Sequence, residues 1–115
     1  MKIVSCVFFI LISLIVKAIP ENISNLIHVD QFGYRPEAKK IAVLSNPITG
    51  YNGTEEYAPG ATFEVRNWFN DDVVFSGSPF PWNDGITHSQ SGDQIWWFDF
   101  SSFNADGSYY IFDPQ

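Results

Sequence analysis

Thirteen carboxylates and two histidines are the side chains of this 115-residue sequence best suited to acid–base or metal chemistry. Most of the carboxylates lie in segments rich in turn-forming residues, where an acidic side chain is usually solvated or caps the local backbone. Asp99 stands between two aromatic residues in "FDF", which favours a buried, hydrogen-bonded structural role over acid–base chemistry. His28 and His88 are too far apart in the sequence to suggest a ligand pair for zinc. The sequence therefore predicts no catalytic residue, no metal ligand and no cofactor.

Residues 1–18 have the three-part layout of a secretory signal peptide. Lys2 supplies the positive charge, residues 3–16 form an almost unbroken apolar run, and Ala18 ends the cleavage site. The run is shorter than the roughly 20 apolar residues of a membrane-spanning helix. We therefore expect a secreted, extracellular chain with one domain over residues 19–115, and no membrane contact once the signal peptide is removed.

The domain that remains after cleavage is acidic and has no thiol. The only cysteine, Cys6, lies in the signal peptide, which excludes disulfides, cysteine-ligated zinc and a cysteine nucleophile. The basic residues that remain are Arg35, Lys39, Lys40 and Arg66, against 13 acidic ones. Such a domain has no basic patch to neutralise phosphates, so we expect no nucleic-acid partner.

Two sequons mark possible sites of N-glycosylation. Asn22 begins "NIS" and Asn52 begins "NGT", and both triplets match the acceptor pattern of secreted proteins. Each site is used only if the host glycosylates its secreted proteins, so both stay open as candidates.

Short β-rich runs separated by Gly, Pro, Asn and Asp dominate the sequence, which is typical of an all-β sandwich. The runs are "LIHVD" (26–30), "KIAVLS" (40–45), "TFEVRN" (62–67), "DVVFS" (72–76), "IWWFDF" (95–100) and "SYYIF" (108–112). Alternation places Phe63 and Val65 on one face of their strand and polar residues on the other, as in a half-buried antiparallel strand.

The last two runs are apolar on both faces. In the first, Trp96, Phe98 and Phe100 share the face that we assign to the core, while Ile95 and Trp97 share the opposite face with Asp99. The run over 108–112 also carries apolar residues on both sides. The second faces must form an exposed patch or be covered by something else.

Aromatic residues make up 17% of the chain, which raises the possibility of sugar binding. Trp68 and Trp82 lie in or beside loops, where an exposed indole ring could stack on a sugar. The alternative is that the aromatic residues fill the core and buried interfaces, as they do in many sandwiches. Both interpretations remain open from the sequence alone.

The segment "IHVDQFGYRPEAKKIAVLSN" (27–46) resembles the start of the immunoglobulin-like domain that precedes the catalytic domain in family 9 glycoside hydrolases. The pattern there is close to I-x-V-N-Q-x-G-Y-x-P, followed by K-x-A-V. The matching residues are Ile27, Val29, Gln31, Gly33, Tyr34, Pro36, Lys40, Ala42 and Val43. Asp30 departs from the usual Asn, which puts one local hydrogen-bond arrangement in doubt. Later stretches, "ATFEVRN", "VVFSG" and "SGDQIWWFDFSSFNADGSYYIFD", are similar to the family in the same order.

The resemblance implies a cellulase N-terminal immunoglobulin-like domain over residues 19–115: an antiparallel sandwich that lacks its last strand, without the catalytic barrel. The partner would then be the family 9 catalytic domain of a parent cellulase that degrades cellulose or another β-glucan, with this domain bracing the barrel. Whether the chain is itself an enzyme stays uncertain. The alternative is a free-standing carbohydrate-binding or interaction module without hydrolase activity. The residues expected to shape the fold are Gln31, Gly33, Tyr34, Pro36, Asp99, Gly107 and Tyr109.

Overall fold

The structure, a computed structural model, describes residues 23–115. The predicted signal peptide and the sequon at Asn22 lie outside the described residues. Within the described range, no helix is long and apolar enough to cross a membrane.

Seven antiparallel strands form two sheets. Their bounds are β1 Ile27–His28, β2 Ile41–Pro47, β3 Phe63–Asn67, β4 Val73–Gly77, β5 Phe80–Pro81, β6 Asp93–Asp99 and β7 Tyr109–Phe112. The first sheet has the order β1-β2-β6-β5 and the second has the order β4-β3-β7. All the predicted runs contain a strand, and the predicted all-β antiparallel sandwich is confirmed.

Strand β5 lies in a segment that the sequence predicted to be a loop. It has only two residues and lies between prolines, and a proline within a run argues against a strand because it lacks the N–H of the ladder. The exception is an edge strand, and β5 is at the edge of its sheet, where Phe80 pairs with Trp97 and Pro81 with Trp96.

The core lies between the sheets and centres on Phe98. Its ring centroid is 5.6 Å from that of Phe63, 6.0 Å from Phe75 and 5.9 Å from Phe100. Phe63, Val65, Phe98 and Phe100 are all buried, as alternation along the strands predicted. Trp96 is only half-buried at the margin of this cluster.

The second apolar faces of β6 and β7 are partly covered by side chains of the domain itself. The ring of Phe80 packs edge-on against Trp97 at 6.1 Å, and the Lys39 ammonium lies 5.7 Å from the centre of the same indole. On the other sheet, the guanidinium carbon of Arg66 lies 3.8 Å from the centre of the Phe112 ring. These contacts leave both faces half-buried rather than fully exposed.

Candidate functional site

The loop after β1 is shaped by Asp30 and Gly33. The Phe32 N–H donates to Asp30 Oδ1 (2.8 Å) and the Gly33 N–H donates to the Asp30 carbonyl (3.1 Å). Gly33 has φ +81°, a backbone angle that glycine adopts without steric cost. A carboxylate oxygen accepts this hydrogen bond as an amide oxygen would, so Asp30 supports the turn in place of the usual Asn. Gln31 is exposed on the same loop.

Tyr34 joins this loop to the start of β2. Its hydroxyl donates to the Ile41 carbonyl (2.6 Å) and accepts from the Asp30 N–H (3.0 Å). Its ring packs edge-on against Phe100 at 5.2 Å. Burial raises the pKa of Tyr34 above its usual value of 10.0, so the hydroxyl stays a donor at neutral pH. The loop is thereby held against the core.

Lys40 is buried, with 4% of its surface exposed. Its ammonium donates to the carbonyls of Pro36, Ala38 (3.0 Å) and Ser101 (3.1 Å). Pro36 therefore contributes a carbonyl to this cage as well as a stiff backbone. The sequence had shown Lys40 only as a match to the family pattern, because its acceptors come from two segments far apart in the chain.

Gly107 and Tyr109 form a compact turn before β7. The Tyr109 hydroxyl donates to the Asp106 carbonyl (3.0 Å), and its ring packs edge-on against Phe103 at 4.9 Å. Gly107 has φ +153°, and a Cβ atom there would lie 2.8 Å from the Tyr109 hydroxyl oxygen. The arrangement is that of a tyrosine corner, in which the hydroxyl bonds to upstream backbone.

Asp99 is exposed, so its predicted burial is wrong. It is the last residue of β6 and accepts a hydrogen bond from the Ser101 N–H (2.9 Å) on Oδ1. Its aromatic neighbours, Phe98 and Phe100, point to the opposite face and enter the core without enclosing it. Hydrogen bonds from the side chain and backbone of Ser101 lower the pKa of Asp99. Asp99 therefore caps the turn after β6.

The two tryptophans considered for sugar stacking lie in different places. Trp68 follows β3, is 41% exposed, and packs edge-on against Tyr110 at 6.0 Å. Trp82 follows β5 in the other sheet and is half-buried, with its ring 5.5 Å from that of His88. No ring contact joins the two in the described part of the chain, so they do not form one platform.

The candidate ligand residues and the described sequon are dispersed. His28 Nε2 lies 3.0 Å from Ser45 Oγ, and His88 Nδ1 accepts from the Ser91 N–H (3.2 Å). Among residues 23–115, no group of three or more His, Cys, Asp or Glu side chains could hold a metal ion. Asn52 is exposed, and its glycosylation stays a prediction.

A cleft of about 870 Å³ opens between β1 of one sheet and β7 of the other. Both strands are sheet edges, so the cleft runs along one open side of the sandwich. Apolar side chains that line it include Val29, Phe103 and Ile111. The sequence did not locate this cleft, because it depends on which strand edges of the two sheets face each other.

A second contact missed from the sequence lies beside this cleft. The Tyr57 hydroxyl donates to Asp113 Oδ2 (2.8 Å), joining the loop after β2 to the segment after β7. Burial, followed by the hydrogen bond with Asp113, raises the pKa of Tyr57 well above its usual 10.0. The two residues are separated by 56 positions, and no local pattern in the sequence relates them.

Two antiparallel sheets, a central aromatic core and a tyrosine corner define an immunoglobulin-like sandwich with structural motif residues. A family model described as "Cellulase N-terminal ig-like domain" matches residues 23–114. The chain belongs to this family, and the resemblance seen in the sequence is confirmed. No curated protein matches the chain.

Two solved structures are similar to this domain. One is titled "Bacteroides ovatus GH9"; it is 21% identical, with a TM-score of 0.58, over 76% of this chain and 14% of that one. The other is a metagenome-derived glycoside hydrolase family 9 endoglucanase; it is 30% identical, with a TM-score of 0.57, over 76% of this chain and 15% of that one. The first supports the fold alone. The chain thus spans about a seventh of the length of these enzymes.

Proposed function

We propose that this domain is the N-terminal accessory module of a secreted family 9 endoglucanase that degrades cellulose, and that it braces the catalytic domain. Family membership supports the module, and the endoglucanase title of the 30% identical structure supports the reaction. The signal-peptide pattern over residues 1–18 supports secretion. In this proposal the reaction itself is carried out by catalytic residues of the partner domain.

The apolar cleft between β1 and β7 carries the bracing proposal. It opens where two sheet edges lie on the same side of the sandwich, and an unpaired edge strand offers N–H and C=O groups to a further segment. Val29 is 53% exposed at the lining of this cleft. Burial of such a surface against a neighbouring domain stabilises both partners, because apolar area is removed from water.

Bracing can be tested in the metagenome-derived endoglucanase by replacing its corresponding domain with residues 23–114 of this chain. Deleting the domain is expected to lower both the unfolding temperature of the catalytic part and its activity on soluble cellulose, and the replacement is expected to restore them. Val29→Asp in the replacement should abolish the rescue, because burying an unpaired carboxylate at an apolar contact costs several kcal/mol.

Val73→Asp is the matched control, since Val73 is 50% exposed at the start of β4 and does not line the cleft. It should leave the rescue intact. Calorimetry and reducing-sugar release measure the two properties. Equal behaviour of the two variants, or an enzyme indifferent to deletion, would refute bracing through this cleft.

A second candidate function, binding to cellulose or another β-glucan by the domain itself, is favoured by the exposure of Trp68. It predicts that insoluble cellulose depletes the domain from solution and that Trp68→Ala abolishes the depletion. Trp82→Ala should change little, because that ring is half-buried against His88. Absence of depletion with the unaltered domain would exclude this function.

A further inference from the structure

The segment that follows β7 is bound to the sandwich through the carboxylate of Asp113. Asp113 Oδ2 accepts from the Tyr57 hydroxyl (2.8 Å) and from the Gly60 N–H (3.2 Å), and Oδ1 accepts from the Gln115 N–H (3.1 Å). Both oxygens of the carboxylate are therefore engaged. Hydrogen bonds to an ionised acceptor are about twice as strong as those between neutral groups.

Gly60 allows the loop to approach this carboxylate closely. The residue is buried, and a Cβ atom placed on it would lie 2.5 Å from Asp113 Oδ1 and 3.1 Å from the Gln115 Cβ. Real Cβ atoms do not come within 3.0 Å of such a neighbour. The position therefore requires a residue without a side chain, because any other would push the segment after β7 away from the loop.

The other end of the contact is fixed to the opposite sheet. The Tyr57 N–H donates to Asn46 Oδ1 (3.0 Å), and Asn46 belongs to β2. The Tyr57 ring also packs against the core cluster. Asp113 follows β7, which lies in the other sheet. The contact therefore links the two sheets at the point where the chain leaves β7.

We infer that Tyr57, Gly60 and Asp113 form a clamp that fixes the direction of the chain after β7, and so holds a domain joined there in one orientation. The inference rests on the proposed function, since bracing needs a defined geometry between the domains. Relative motion is the usual behaviour of linked domains unless their contact is large and apolar. A clamp within the domain restricts that motion at the first residues of the connection.

The clamp is tested by ¹⁵N relaxation on the chain from Ile19 to Gln115, which contains every described residue of the sandwich. In the unaltered chain, we expect the amides of Asp113 and Gln115 to have order parameters close to the roughly 0.85 of rigid backbone. Tyr57→Phe removes one hydroxyl, and Asp113→Ala removes all the acceptors. Both should lower the order parameter of Gln115, with Asp113→Ala bringing it below about 0.6.

Two controls make the result decisive. Tyr51→Phe removes a fully exposed hydroxyl from the same loop and should leave Gln115 rigid. The amide of Ile111, within β7, should stay rigid in every variant. A rigid Gln115 in Tyr57→Phe and Asp113→Ala would overturn the clamp, and so would loss of order that extends to Ile111, because it would indicate a weakened strand.

The outcome is independent of the bracing proposal, because the measurement needs no catalytic domain. A mobile Gln115 in the unaltered chain refutes the clamp and leaves bracing through the cleft to be judged by Val29→Asp. Conversely, an intact clamp together with an enzyme indifferent to deletion of the domain refutes bracing alone.

Discussion

Phe98→Ala is expected to lower the free energy of unfolding by about 3–5 kcal/mol, the usual range for removing a buried phenylalanine ring. The side chain is fully buried, with 0% of its surface exposed, and its ring contacts aromatic residues from both sheets. Its removal leaves a cavity that neighbouring rings fill only in part, since each is held in its own strand. Urea denaturation followed by tryptophan fluorescence measures the change.

Phe32→Ala is the matched control for this variant. Phe32 is 91% exposed on the loop after β1, so the same truncation should change the free energy of unfolding by less than about 0.5 kcal/mol. A loss below about 1.5 kcal/mol for Phe98→Ala, with an unchanged dependence on urea, would show that the core closes around the missing ring and is not centred on it.

The position of Phe98 in the core could be predicted from the sequence because alternation along a strand assigns each residue to a face. The same alternation placed Phe63 and Val65 correctly. It did not reveal how deep each position lies, and Trp96 is only half-buried for that reason. Depth depends on the distance from the sheet margins, which is a property of the assembled sandwich.

Asp99 shows how a local pattern can mislead about burial. Its aromatic neighbours suggested an enclosed carboxylate, yet adjacent residues in a strand point to opposite faces. Phe98 and Phe100 enter the core and leave Asp99 at the surface. What determines its surroundings is the end of β6, where the chain turns and the Ser101 N–H becomes available to the carboxylate.

The contacts that hold the two sheets together could not be predicted, because they join residues far apart in the chain. Lys40 binds the carbonyl of Ser101 across 61 positions, and Tyr57 binds Asp113 across 56. Neither pair has a signature in spacing or periodicity. The motif around Gly33 and Tyr34 was visible because its hydrogen bonds close within a few residues.

The residues shared with the family pattern surround one side of the sandwich. Tyr34 holds the loop after β1 to β2, and Lys40 holds the following turn to the segment after β6. Both side chains also line the cleft between β1 and β7. Their structural roles therefore set the shape of the surface through which we propose that the domain contacts a catalytic partner.

Lys40→Met is expected to lower the free energy of unfolding by about 2–3 kcal/mol. The substitution keeps the length of the side chain but removes the ammonium, which leaves the carbonyls of Pro36, Ala38 and Ser101 without their donor. Each buried acceptor left unsatisfied costs about 1–3 kcal/mol. Part of this loss is offset, because a charge no longer has to be taken out of water.

Lys39→Met isolates the effect of the cage from that of net charge. Lys39 is the exposed neighbour whose ammonium lies 5.7 Å from the Trp97 ring, and losing an exposed cation–π contact of this kind costs at most about 1 kcal/mol. Both variants remove one positive charge from an acidic domain, so their difference in urea denaturation measures the carbonyl cage. Equal losses would mean that the Lys40 ammonium stabilises the fold only through the overall charge, and that water satisfies the carbonyls when it is gone.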